Sequence, residues 1–150
     1  MDDITLLALC IWSEASGEPL AGKQAVAQVV LNRMRSHYMS DGTVAGTVLY
    51  PNQFSGFYFD MRDGKYTRVC WSREDAEHHA EAMLLRAQHQ AVWDVCLDVA
   101  VDALDGAMPL RPELDRAVLY LNPEILSKLP AWASPAKELC AVAHHTFYAA

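Results

Sequence analysis

Apolar residues recur at helical spacing along most of the chain. From Ile4, residues Leu6, Leu7, Leu9, Cys10 and Ile11 give an apolar face too wide for a surface helix. A largely buried helix is therefore predicted, capped by Asp2 or Asp3. Gly17 is read as its end, because glycine accepts the left-handed conformation that closes many helices. Pro19 suits the first turn of the next helix. Ala25, Val26, Val29, Val30 and Met34 carry that helix from Leu20 to about His37. Ser40–Thr43 reads as loop, and Val44–Leu49 as a short helix stopped by Pro51.

The second half of the pattern is mixed. Pro51–Val69 shows no clean period and reads as a structured surface loop. Ser72 with Asp75 has the form of a capping box. It opens a helical region to about Leu104, which is long enough to predict a break near Gln88–Gln90, and Gly106 closes it. Ala117–Pro123 reads as a strand ended by proline, and Pro130 and Pro135 mark a loop around Trp132. Glu138–Tyr148 reads as one further strand by alternation. In that reading Ala141, Ala143, His145 and Phe147 point one way, and Val142, His144, Thr146 and Tyr148 the other. The expected class is α+β, mostly helical with a small C-terminal antiparallel β-hairpin.

Composition narrows the function. The 150 residues suit one domain over 1–150, and 52 % hydrophobic residues can bury a sizeable core. A formal net charge of −7 opposes nucleic-acid binding, although Lys23, Arg33 and Arg35 are candidates for a local basic patch. Asp2 and Asp3 stand where a secretory leader carries basic residues, and Ile4–Trp12 is too short to span a bilayer. The expectation is a start in the cytoplasm without membrane insertion. Cys10, Cys70, Cys96 and Cys140 lack C-x-x-C spacing and read as buried free thiols. His78, His79 and His89 lack ligand spacing and read as a solvated helix face. With no glycine-rich phosphate loop either, neither metal nor cofactor is expected.

Glu14 is the chemically suggestive residue. It lies at the C-terminal end of the first helix, where the dipole disfavours another negative charge and the apolar face implies desolvation. Both raise a carboxyl pKa, which suits a general acid near neutral pH. On position alone, most such glutamates are surface groups. The surrounding residues add weight. Glu14, Ala15, Gly17, Glu18, Pro19, Gly22, Gln24, Ala25, Val26, Ala27, Val30, Asn32 and Arg33 stand in an ordered pattern. It is followed by "YPNQFSGF", "AVLYLNPEILSKLPAWA" and "AVAHHTFY". This ordered set resembles the SleB-type cell-wall hydrolases, the family of the spore-cortex-lytic enzymes. The resemblance implies a lysozyme-like fold of the lytic-transglycosylase and goose-lysozyme kind. It also implies cleavage of the β-1,4 bond after N-acetylmuramic acid in peptidoglycan glycan strands, with Glu14 as the catalytic acid. Ser13 stands where the family has glycine, Ser16 where it has arginine and Ala143 where it has glycine, so fine specificity is open.

Glu18 is the nearest second carboxylate, read either as a sugar ligand or as a charge on a helix N-terminus. Gln53 and Ser55 are candidate hydrogen-bonding groups to sugar, or a turn around Phe54. Tyr120 and Asn122 share a strand face and are candidate cleft residues, although Asn122 also suits a turn cap. His145 reads as a substrate ligand, as a group orienting Tyr120 across the hairpin, or as a core histidine. Tyr148, with Trp132 and Phe147, reads as either core or sugar contact. With one acid well placed, a lytic transglycosylase forming 1,6-anhydro ends is expected. A water-using muramidase, an inactive peptidoglycan-binding module and a helical interaction protein are the alternatives. The expected setting is a monomeric phage endolysin held in the host cytoplasm until release, with a bacterial remodelling enzyme as the other reading.

Overall fold

The computed structural model describes residues 1–150. Its first helix, α1 (Asp3–Ala15), is the central one. Leu6 to Ile11 are consecutively buried, and the helix packs against four others: α2 (Leu20–Ser36), α3 (Val44–Val48), α4 (Arg73–Ala87) and α5 (Val92–Asp105). A helix that is apolar all round is a core helix, so the wide face seen in the sequence is explained. Asp2 caps it, its carboxylate accepting from the Thr5 amide at 2.7 Å. Ser72 caps α4 by accepting from the Asp75 amide, and the expected break separates α4 from α5. No helix is long and apolar enough to cross a membrane.

Gly17 does not end α1 as expected, since its φ is not positive. The Lys23 ammonium of α2 ends it instead. It donates to the Ser16 carbonyl at 3.2 Å and to the Glu18 carbonyl, taking up acceptors at the turn. Lys23 and Arg33 are therefore buried interior groups and not a basic patch.

Two β units depart from the sequence reading. Within the expected loop, β1 (Phe59–Arg62) and β2 (Lys65–Arg68) form an antiparallel hairpin. Its turn is Asp63-Gly64, both with positive φ (51° and 73°), as a tight hairpin turn requires. The expected final strand is itself a hairpin, β4 (Glu138–Val142) and β5 (His145–Tyr148), turning at Ala143 and His144. Ala143 takes a left-handed φ of 52° without being glycine. Alternation therefore breaks there. Val142, not Ala141, pairs with His145, and Ala141 pairs with Thr146. The central strand β5 also pairs antiparallel with β3 (Leu119–Leu121), with Tyr120 opposite Phe147. The C-terminal unit is thus a three-stranded sheet in the order β3-β5-β4.

Helix α2 fixes that sheet through polar side chains. Its apolar face packs Ala25 and Val29 on Leu114, Ala117, Val142 and Phe147. Beside them, Gln28 exchanges two 2.9 Å bonds with the backbone of Arg111. The Asn32 amide donates to the carbonyls of Leu114 and Ala117 at 2.7 and 2.8 Å. The Arg33 Nε donates to the Val118 carbonyl at 2.7 Å. The segment leading into β3 has little regular structure of its own, so these bonds satisfy its buried carbonyls. Asn32→Ala leaves two of them unpaired and is expected to destabilise the protein by roughly 2–3 kcal/mol. Chemical denaturation of the purified variant measures this, and a loss near zero would contradict the role.

Candidate active site

The C-terminal end of α1 opens into a cleft. One lobe, of about 510 Å³, is lined by Ser13, Glu14, Glu18, Tyr120, Asn122, Ile125, His144 and His145 among others. A second lobe, of about 330 Å³, is lined by Glu14, Arg33, Asn52, Gln53, Ser55, Leu119, Tyr120 and Trp132. Glu14 and Tyr120 belong to both, so they form the waist of one groove.

Glu14 is half-buried there. Burial pushes its pKa up to about 7, against three opposing groups: the Tyr120 hydroxyl, the Arg33 guanidinium and the Ser55 amide. Desolvation thus outweighs every partner that favours the ionised form. Burial also holds the Tyr120 phenol far above its ordinary range, so it is a neutral donor to the carboxyl. The Ser55 amide reaches Glu14 because its loop approaches α1 closely. A Cβ on Gly56 would lie 1.9 Å from Ser13 Oγ and 2.9 Å from Ser13 Cβ, so any larger residue would force Ser13 to move.

Arg33 is a site residue that the sequence reading placed elsewhere. Besides Val118 it reaches Gln53 Oε1 at 3.3 Å and lies 4.9 Å from the Phe54 ring centroid. It holds the Gln53 loop against β3 from beneath. Its signal was present, since Arg33 falls inside the family-like pattern, but its buried setting is not visible in a linear motif. Asn52, which accepts from Arg68 at 2.6 Å, and His144 are further cleft residues that were not singled out.

Glu18 lines the same lobe but with different partners. Its side chain is 8 % exposed and faces two histidines, with His144 Nδ1 at 2.8 Å and His145 Nδ1 at 3.5 Å. It folds back over Gly22, where a Cβ would come within 2.8 Å of its own Cβ. Glu18 therefore ties the α1–α2 turn to the β4–β5 turn across one end of the cleft. His145 is buried, and its ring packs 5.0 Å from Tyr120. Asn122 lines the cleft while its Oδ1 caps the following turn by accepting from the Glu124 amide. Tyr148 is not brought to the cleft. It is buried with Leu121 and Ala133, edge-on to Trp132 at 5.5 Å, because β5 points Tyr148 to the sheet face opposite His145 and Phe147.

The other polar candidates behave separately. His78 and His89 are exposed, but His79 is half-buried against the Gly56 backbone and not on a solvated face. Cys10, Cys70 and Cys96 are buried free thiols, and Cys140 is a half-buried one.

The class the fold defines is a helix-and-sheet domain with an acid at a helix end, facing a small sheet across a groove. The chain belongs to the cell wall hydrolase family, whose model matches residues 17–148. Glu14 lies just ahead of the matched stretch. The chain is 43 % identical over 134 residues to a spore cortex-lytic enzyme of Halalkalibacterium halodurans, covering 89 % of this chain and 31 % of that protein. It is 28 % identical over 134 residues to the corresponding enzyme of Oceanobacillus iheyensis, covering 89 % of this chain and 37 % of that protein. The chain thus spans about a third of the length of these relatives. In fold it is similar to the catalytic domain of the germination-specific lytic transglycosylase SleB from Bacillus anthracis. The TM-score is 0.63 at 23 % identity, over 97 % of this chain and 93 % of that one.

Two expectations follow from the site. The Glu18 hydrogen bond and charge raise the His144 pKa above its ordinary 6.5. A histidine whose pKa is raised by folding lends stability in full below its unfolded value, and that stability is lost as pH rises through the folded value. NMR titration should place His144 above a free histidine, and Glu18→Gln should bring it down; an unchanged value would refute the pairing. Tyr120→Phe removes a donor that favours ionised Glu14. The Glu14 pKa should rise further, moving the alkaline limb of the pH–rate profile upward. Turnover should fall by an amount equivalent to about 1 kcal/mol. An unchanged profile in the folded variant would remove Tyr120 from the site.

Proposed function

We propose that the chain cleaves the β-1,4 bond between N-acetylmuramic acid and N-acetylglucosamine in peptidoglycan, as a lytic transglycosylase. The carrying observation is one half-buried carboxyl, Glu14, with a pKa of about 7 at the waist of a two-lobed groove. Glu14 and Glu18 are the acidic residues lining that groove, and Glu18 is committed to His144 and His145. A hydrolase with two working carboxylates places the second across the sugar from the first. No further carboxylate lines the groove to fill that place.

The proposed reaction uses one acid twice. Protonated Glu14 gives its proton to the glycosidic oxygen, and the bond from that oxygen to C1 of muramic acid breaks. The substrate's acetamido group supports the developing cation. The Glu14 carboxylate then takes the proton of the C6 hydroxyl, and O6 closes on C1. The products are a 1,6-anhydro sugar and a free 4-hydroxyl, and Glu14 ends protonated. Tyr120 and the Ser55 amide stabilise the carboxylate between the two proton transfers. Gln53 and Asn122 offer hydrogen bonds to sugar on either side of the waist. Hydrolysis by water at the same centre is the second reading. A phage endolysin and a bacterial remodelling enzyme use the same bond cleavage.

Mass spectrometry of digested peptidoglycan decides the chemistry. Anhydro products, one water lighter than reducing ends, support the proposal, and reducing ends alone assign a muramidase. Activity should fall as pH rises through about 7, where Glu14 loses its proton. Glu14→Gln should abolish lysis. Because folding raises this carboxyl's pKa from 4.5 to about 7, its ionisation costs the native state at alkaline pH and nothing below pH 4.5. The variant should therefore be more stable than the parent at pH 8, by roughly 3 kcal/mol, and equally stable near pH 4. Retained lysis in the variant would end the assignment.

A further inference from the structure

The groove does not stop at Ser13 and Ser16. These two residues line the larger lobe and also a third concavity of about 200 Å³, whose far wall is the β1–β2 hairpin. We propose that this hairpin carries an additional saccharide subsite, which takes a further N-acetylhexosamine ring of the same glycan strand. The inference rests on the reading of the cleft as glycan-binding and extends it to a surface that the Glu14 chemistry does not use.

The wall has the chemistry of a sugar site. Tyr66 is 58 % exposed, yet its ring is held flat on Phe59, with centroids 5.2 Å apart and planes 9° from parallel. An aromatic ring fixed on one face and bare on the other is a rigid platform for the apolar face of a pyranose. Asp60 and Arg86 lie at its edge. Their ion pair, at 3.2 Å, uses Asp60 Oδ1, which also accepts from the Met61 amide at 2.9 Å. Asp60 Oδ2 and the remaining guanidinium donors stay free for hydroxyl and acetamido groups. The Ser13 and Ser16 side chains add short hydroxyls at the passage from the main lobe.

Charge selects among occupants. Asp60 and Arg86 neutralise each other, so the wall favours neither an anionic nor a cationic ligand. A sugar ring without ionised groups fits that balance better than a stem peptide bearing carboxylates and an amine. Continuity through Ser13 and Ser16 favours the strand that already crosses Glu14.

The test is isothermal titration of β-1,4-linked N-acetylglucosamine oligomers, without peptide, into the full chain carrying Glu14→Gln. Affinity should rise with oligomer length as the hairpin ring is filled. Adding Tyr66→Ala should weaken the longest oligomer by about ten-fold and flatten the length dependence, whereas Tyr66→Phe should restore it. Asp60→Asn, which keeps the side-chain shape, should weaken the long oligomer as well. Equal loss at every length, or no loss with the hairpin folded by circular dichroism, would overturn the subsite. So would loss confined to fragments bearing stem peptides, which would make the wall a peptide site. Absence of binding at every length would also overturn it. Failure of the underlying glycan reading shows separately, as persistent lysis by Glu14→Gln.

Discussion

Keeping a carboxylic acid protonated near neutral pH requires its desolvation to outweigh every group that would ionise it. At Glu14 that balance is set by α1. Six consecutive buried residues, Leu6–Ile11, place the helix inside the core, and the acid comes at its last turn, where core meets groove. An acid one turn earlier would have no access to substrate, and one turn later it would be solvated and titrate as an ordinary glutamate. The termination of α1 is therefore a functional feature. It depends on Lys23, a buried ammonium bonded to the carbonyls of Ser16 and Glu18. A buried cation is tolerated because a helix C-terminus offers it partial negative charge.

The opposite wall depends on a second set of buried polar groups. Tyr120 needs a fixed place relative to Glu14, yet β3 is a three-residue strand and cannot hold itself. Gln28, Asn32 and Arg33 bind the backbone from Arg111 to Val118, so the chain enters β3 in one register. The same helix then contributes both the Lys23 lock on one wall and the Arg33 brace beneath the other. This accounts for the polar residues on its otherwise apolar face.

Legibility in the sequence followed how strongly burial imprints a pattern. The helices α1, α2, α4 and α5 each bury a face, and their apolar spacing was visible, as were the Asp2 and Ser72 caps of α1 and α4. The β1–β2 hairpin was not, because most of its residues are exposed on both faces and leave no apolar period. Its Asp63-Gly64 turn was the available signal. The β4–β5 turn was hidden for another reason. Ala143 does the work of a glycine there, so alternation runs through the turn without punctuation. Among site residues, Glu14, Tyr120 and His145 are brought together as expected, and Gln53 and Ser55 lie across the waist. Tyr148 falls in the core. The burial of Arg33 was illegible because a linear motif does not separate a surface cation from an interior one.

Glu14 and Glu18 show how environment assigns roles to like groups only a turn apart. Both line the larger lobe, and both come from the junction of α1 and α2. Glu14 faces a neutral phenol, a guanidinium and an amide, and desolvation of its carboxyl outweighs all three. Glu18 also has little solvent exposure at its side chain, but one of its oxygens is held 2.8 Å from His144 Nδ1 and the other faces His145 Nδ1 at 3.5 Å. A carboxylate clamped between two turns cannot swing across a sugar to act as a base. The histidines that remove Glu18 from chemistry also bring the β4–β5 turn against the α1–α2 turn, and His145 sets its ring against Tyr120. The pairing that leaves Glu14 as the one uncommitted acid of the groove is thus the same contact that closes the end of that groove.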